Sequence, residues 1–282
     1  MIRIIESPRE AMQGLQRIIP TRDKIMYLNS LMNVGFDTIE TGSFVSPGLI
    51  PQMADSLEVL SKIDMQNSKS HIMFLVVSKK GTDVISTYEN VSHISYPHSI
   101  SPAFLHKNLN SDTNKSLETV EYIVEICQKT NKVPVIYISL AFGNSFNDAW
   151  NLEILEEGVQ SLYDRGIRTI PLSNVSIEIS ADHIKKAFNY LLPKFPDVEF
   201  GLHLHTSNIG FMEKVNAAYE AGVRRFDSVM TGLGGCPFAE DELLGNLSTE
   251  NLLLFIENKK LYSSLDKDQL EEARLLATKV LY

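Results

Sequence analysis

Cysteine is scarce in this 282-residue sequence: Cys127 and Cys236 are the only two, and they lie far apart. Two thiols so placed do not make a disulfide framework, and a reducing compartment, the cytoplasm, is the simplest expectation. Long apolar runs are also missing, none approaching the ~18 residues of a membrane span. The opening Met1-Ile2-Arg3-Ile4-Ile5 already reads as a strand, with no signal or transit segment ahead of it. Positive charge is in deficit, with 26 Lys and Arg against 35 Asp and Glu and a net charge of -9. That balance argues against nucleic acid as a partner and leaves any anionic ligand dependent on local basic groups. No dinucleotide fingerprint opens the first helix. The glycine-rich stretch Gly232-Leu233-Gly234-Gly235 follows the last strand and lacks a Walker lysine, so it does not read as a nucleotide loop. No linker or low-complexity segment divides the chain, which reads as one domain over 1–282.

What the sequence does contain is a regular alternation of strand and helix. A β-rich run over 2–6 is broken by Ser7-Pro8 and followed by a charged loop, Arg9 to Gly14. Thr21 is placed to cap a helix with Ile25, Leu28, Leu31 and Met32 on one face, stopping at Gly35. Further strands read at 36–40, 71–77, 91–96, 133–140, 167–172, 198–205 and 223–229. Helical stretches separate them at 51–63, 82–88, 115–129, 150–165, 181–192 and 210–221. Cys127, after Ile123 and Ile126, reads as core. Eight strands, each followed by a helical segment, are the pattern of a (β/α)8 TIM barrel, here about 2–259, closed by a helix over 248–259 with Ser248 as its cap. An extra C-terminal helix over 266–280 is expected to lay Leu270, Leu275, Leu276 and Val280 on the barrel or on a neighbouring subunit.

Chemistry in such barrels sits at the C-terminal ends of the strands, and the polar residues follow that rule. Arg9 and Glu10 come after the first strand, Glu40 and Ser43 at the second, Asn174 after the sixth, His203 and His205 at the seventh, Cys236 and Asn246 after the eighth. In a strand, His203 and His205 share one face about 6.5 Å apart, with Leu202 and Leu204 on the other. Taken alone, such a pair reads equally well as a hydrogen-bonded couple in a packed sheet. With a carboxylate and an amide oxygen on the same rim, the set becomes a mixed oxygen and nitrogen site suited to Mg²⁺ or Mn²⁺, and less to Zn²⁺, although histidine also favours zinc.

Several motifs then resemble the 3-hydroxy-3-methylglutaryl-coenzyme A lyase family, within the wider group of divalent-metal lyases and Claisen-type synthases. Arg9-Glu10-Ala11-Met12-Gln13 is similar to the family's first-strand motif. Ser43-Phe44-Val45-Ser46-Pro47 with Pro51-Gln52-Met53 is similar to its second, and His203-Leu204-His205 to its metal pair. Gly232-Leu233-Gly234-Gly235-Cys236-Pro237 with Gly245-Asn246 and Thr249-Glu250 is the most specific match. The resemblance runs from Ile4 to about Leu254. It implies metal ligation by Glu10, His203, His205 and Asn246, and catalytic roles for Arg9 on the carbonyl oxygen, Glu40 near the metal and Cys236 in proton transfer. It further implies substrate contacts from Arg9, Gln13, Ser43 and Asn174, and a mobile cover formed by the glycine-rich loop. The implied reaction is cleavage of 3-hydroxy-3-methylglutaryl-CoA to acetyl-CoA and acetoacetate, as in leucine breakdown, on an acyl-CoA thioester partner in a possible homodimer.

The sequence also departs from the family pattern. Glu10 stands where the family has Asp, Asn174-Val175-Ser176 where it has an acid followed by Thr and Gly, and Thr206-Ser207 where it has Asp-Thr. Where the family carries a lysine soon after the first motif, this chain has Gln16 beside Arg17, so Arg17 or Arg22 is expected to meet the coenzyme A phosphates. If Asn174 replaces a proton-shuttling acid, Asn174→Asp should raise turnover. Two alternatives stay open: a related aldolase or Claisen-type enzyme on another hydroxyacyl substrate, and a non-catalytic ligand- or metal-binding barrel.

Overall fold

The computed structural model describes residues 1–144, 146–175, 178–235 and 244–282. Eight parallel strands close into a barrel in chain order: β1 (Arg3–Glu6), β2 (Thr38–Phe44), β3 (His71–Val76), β4 (Val91–Ser99), β5 (Val133–Ser139), β6 (Thr169–Ser173), β7 (Glu199–His203) and β8 (Arg225–Ser228). Closure is made by β1 against β8, with Arg3 opposite Arg225 and Glu6 opposite Ser228. The expected barrel and its extra C-terminal helix are both present. Among the described residues no helix is long and apolar enough to cross a membrane.

The helices are α1 (Pro8–Gln13), α2 (Thr21–Met32), α3 (Ser56–Ser61), α4 (Lys79–Ser86), α5 (Pro102–Leu109), α6 (Thr113–Thr130), α7 (Leu152–Asp164), α8 (Ala181–Leu191), α9 (Phe211–Ala221), α10 (Thr249–Asn258) and α11 (Lys267–Leu281). Four local expectations are corrected. The charged stretch after β1 is a helix rather than a loop: Pro8 at its first position needs no amide donor, and Pro8, Ala11 and Met12 are buried beneath it. Thr21 is the first residue of α2 and does not cap it; its hydroxyl donates to Asp55 Oδ2 at 2.7 Å. The helix expected over 51–63 is a 3₁₀ turn, Pro51–Met53, followed by the short α3. Finally, α11 buries Ala273, Ala277, Val280 and Leu281 and leaves Leu275 exposed. Small residues there allow a close approach to α2. Ser248 does cap α10, accepting from the Asn251 amide, and Cys127 is core, its thiol pushed by burial up to about 12.

Inside the barrel, Ile5, Met73, Val135 and Tyr137 form a small apolar layer. The lumen around it is polar: Glu40, Ser95, Asp227 and Arg225 are all buried. Arg225 fits there because β7 carries Gly201, whose added Cβ would lie 2.9 Å from Arg225 Cδ.

Glu6, on the outer face of β1, is fully buried, accepting from the Met230 amide at 2.7 Å and facing the Thr249 hydroxyl at 2.5 Å. Burial pushes its carboxyl up to about 8, against the opposing hydrogen bonds from Thr249 and Met230. The Thr249 hydroxyl also reaches Ser228 Oγ at 3.0 Å, so a protonated Glu6 can donate to Thr249, which donates onward. Between the ordinary value of 4.5 and about 8 the folded chain holds a proton that the unfolded chain releases, so this group costs stability as pH rises through that window. Melting temperature should fall from pH 5 to pH 8, and Glu6→Gln should flatten that slope, gaining on the order of 2 kcal/mol at pH 8. Parallel melting curves for variant and wild type would remove this account of Glu6.

Candidate active site

The site is built where the short α1 meets the end of β7. Because α1 starts directly after β1, Arg9 and Glu10 are held over the barrel mouth instead of drifting on a loop. Arg9 Nε and Nη2 donate to Glu40 Oε2 at 2.9 and 2.5 Å, Nη2 donates also to Glu10 Oε1 at 3.0 Å, and Nη1 to Gln13 Oε1 at 3.4 Å. Burial disfavours the guanidinium charge, but Glu40 and Glu10 outweigh it and hold Arg9 above its ordinary value. Glu40 is raised, chiefly by burial and also by Glu10, with Arg9 opposing. Its second oxygen accepts from Ser95 at 3.0 Å. With both oxygens engaged by Arg9 and Ser95, Glu40 holds the guanidinium in place.

Glu10, His203 and His205 bring a carboxylate oxygen and two imidazole nitrogens within 4.8 Å of one another. The longer arm of Glu10 is accommodated by sharing Oε1 between Arg9 and His203, whose Nε2 lies 3.4 Å away. The other nitrogen of His203 is 3.0 Å from Asp227 Oδ2, which also accepts from the Tyr137 hydroxyl at 2.7 Å. Burial pulls His203 down, but Glu10 and Asp227 outweigh it and the imidazole sits at about 10. Glu10 is held well below the usual carboxylate range despite its burial, by His203 and Arg9. His205 is pushed down to about 4 by burial and then by His203.

These donors fit a divalent cation. His205 Nδ1 is buried without a hydrogen-bond partner among the described residues, and a carboxylate behind a ligating histidine, as Asp227 lies behind His203, orients the ring and raises its basicity. Asn246 comes alongside through a bridge to His205, and its Nδ2 donates to Leu233 O at 2.9 Å. The glycine-rich loop, as far as Gly235, is seated on α1: a Cβ on Gly234, which has φ +95°, would lie 2.4 Å from the Glu10 carbonyl oxygen. Cys236 lies outside the described residues.

A cavity of about 460 Å³ opens beside this cluster, lined by Arg9, Glu10, Gln13, His203, His205 and Gly235 on one side. Ser43 and Asn174 are not on its wall. Ser43 is buried with its hydroxyl unpartnered among the described residues, and Ser46 lines the cavity in its place. Asn174 is fully buried: its Nδ2 donates to His205 O at 2.8 Å and its Oδ1 accepts from His205 N at 2.9 Å. It clamps the backbone of a candidate ligand. Asn174→Asp should therefore lower activity, because a carboxylate cannot donate to that carbonyl and repels it, costing about 1–3 kcal/mol of stability. Higher turnover in that variant would restore the proton-shuttle expectation. Arg17 is also engaged elsewhere, donating to Val280 O at 2.5 Å, while Arg22 stays exposed.

Sequence reasoning missed Asp227, Tyr137 and Asn108. The last lines the cavity from α5 with both amide atoms buried and unpartnered among the described residues. A Lys-Asn-x-Asn run was its only signal.

The sequence profile of the HMGL-like family matches residues 2–276. The chain belongs to the HMGL-like family. Among its relatives, the hydroxymethylglutaryl-CoA lyase of Bacillus subtilis is 27% identical over 94% of this chain and 88% of its own length. The mitochondrial enzyme of that name from Homo sapiens is 27% identical over 96% and 83%. The solved structure of an HMG-CoA lyase from Acinetobacter baumannii, in complex with coenzyme A and 3-methylmalate, superposes with a TM-score of 0.91 at 28% identity, covering 100% of this chain and 91% of that one. The chain is thus an HMGL-like carbon–carbon lyase, with the His and Glu cluster as its candidate site for the family's divalent metal.

Proposed function

We propose that the chain cleaves a 3-hydroxy-3-methylglutaryl-type thioester to acetyl-CoA and acetoacetate, with Mg²⁺ or Mn²⁺ as cofactor. The observation that carries this reading is the convergence of Glu10, His203 and His205 beside Arg9 at the mouth of the cavity. Glu10, His203, His205 and Asn246 would hold the ion, which when bound supplies charge that stabilises the substrate's hydroxyl oxygen as it loses its proton.

As the bond between C2 and C3 breaks, its electron pair moves into the thioester as an enolate. Arg9, fixed by Glu40 and Glu10, is oriented to stabilise the negative charge developing on the thioester oxygen. Gln13 steadies the guanidinium and lines the same wall. Cys236, by resemblance, returns a proton to C2. The apolar parts of the cavity exclude water that would compete for the enolate.

Acetoacetate release from 3-hydroxy-3-methylglutaryl-CoA tests the reading, measured with Mg²⁺ or Mn²⁺, with chelator, and in the Cys236→Ser variant. The expected result is metal-dependent release, reduced at least about 100-fold by Cys236→Ser. Tight metal binding through His203 and His205 with no release would instead favour another thioester or a non-catalytic barrel.

A further inference from the structure

The polar cluster occupies one side of the barrel mouth, at β1 and β7. In a closed ring of eight strands in chain order, β3 lies across from β7 and β4 across from β8. The wall on that far side carries an apolar patch, Leu75 and Val77 at the end of β3, Pro97 on β4 and Phe104 and Leu109 on α5, beside the polar Lys107, Asn108 and Asn110. Leu75 and Phe104 are buried, and Val77 and Leu109 are partly buried.

The carbinol carbon of the substrate is tetrahedral. With its hydroxyl and carboxylate arm drawn to the Glu10, His203 and His205 side and its thioester arm at Arg9, the fourth substituent projects across the mouth to this wall. In 3-hydroxy-3-methylglutaryl-CoA that substituent is a methyl group, which would leave most of the apolar surface uncovered. We propose that the far wall of the cavity is a subsite for an aliphatic substituent larger than methyl, making 3-hydroxy-3-alkylglutaryl thioesters with such a substituent the preferred substrates. This rests on the lyase reading above and deepens it. The bond changes are those already described: the hydroxyl O–H bond breaks and its electrons form the ketone, C2–C3 breaks and its electrons pass into the thioester, C2 takes a proton from Cys236, and the proton lost by the hydroxyl balances the one that restores the thiol, so a butyl substrate yields acetyl-CoA and 3-oxoheptanoate with no net proton change.

The test compares 3-hydroxy-3-butylglutaryl-CoA with 3-hydroxy-3-methylglutaryl-CoA in two readouts on the full chain, calorimetric binding and kcat/KM for acetyl-CoA release. Each buried methylene strengthens binding by a factor of about four, so the butyl compound should be favoured at least tenfold in both. Leu75→Phe and Val77→Phe, which fill the wall, should each lower that ratio at least fivefold. Equal or better binding and turnover of the methyl compound would overturn the subsite, as would a ratio that neither variant moves. A binding preference for the butyl compound without cleavage of either thioester would uphold the subsite and overturn the lyase reading, so the two failures are separable.

Discussion

Arg9→Met should lower kcat for thioester cleavage by about 1,000-fold or more, since a single preorganised donor to a developing oxyanion is worth about 100- to 1,000-fold and Arg9 also fixes its neighbours. Among the described residues it is the cation that touches both Glu40 and Glu10. Removing it strands Glu40, 1% exposed, beside a second acid, and breaking a buried pair from one side costs about 3–5 kcal/mol. Activity and stability should separate in the double variant. Arg9→Met with Glu40→Gln removes both charges and should recover most of the melting temperature while leaving activity as low as in Arg9→Met alone. Thermal unfolding and kcat on the four corners of that cycle check the prediction. Recovery of activity together with stability would mean that Arg9 serves folding and not the reaction.

The barrel was legible because its signal is repetition: eight β-rich runs separated by helical ones leave few other architectures. His203 and His205 were legible because alternation along an extended chain places them on one face; β7 ends at His203, short of the expected 205, yet their rings lie 5.0 Å apart. Other features have no local signature. The Pro-Arg-Glu-Ala-Met-Gln run of α1 is too short and polar for helical periodicity, and α5 buries little beyond Phe104 and Leu105. Asn174 could be read as a lost acid because its partner is the backbone of His205, 31 residues away, and backbone partners leave no trace in residue types. The same holds for Asp227, whose importance comes from contacts to β5 and β7 that only barrel closure creates. Arg17 shows the converse: proximity in sequence to the first motif suggested a phosphate, yet its charge is used to tie down α11.

Asp227→Asn should weaken Mn²⁺ binding by about 10- to 100-fold, the usual effect of altering the carboxylate behind a ligating histidine. The amide introduced there keeps the volume, and its oxygen can take the place of Oδ2, which accepts from the Tyr137 hydroxyl and faces His203 Nδ1, while its nitrogen takes the place of Oδ1 on the Arg225 side. The negative charge that raises the basicity of His203 disappears. Arg225, fully buried with Nε 3.9 Å from Asp227 Oδ1, loses a counter-charge. Stability should fall for that reason, and the control is Tyr137→Phe, which removes one hydrogen bond to Asp227 but leaves its charge and its contact with His203. Calorimetric Mn²⁺ titration should therefore show a large loss in Asp227→Asn and little in Tyr137→Phe. Equal losses in the two would mean that the hydroxyl network, and not the carboxylate charge, sets how His203 presents its outer nitrogen to the ion.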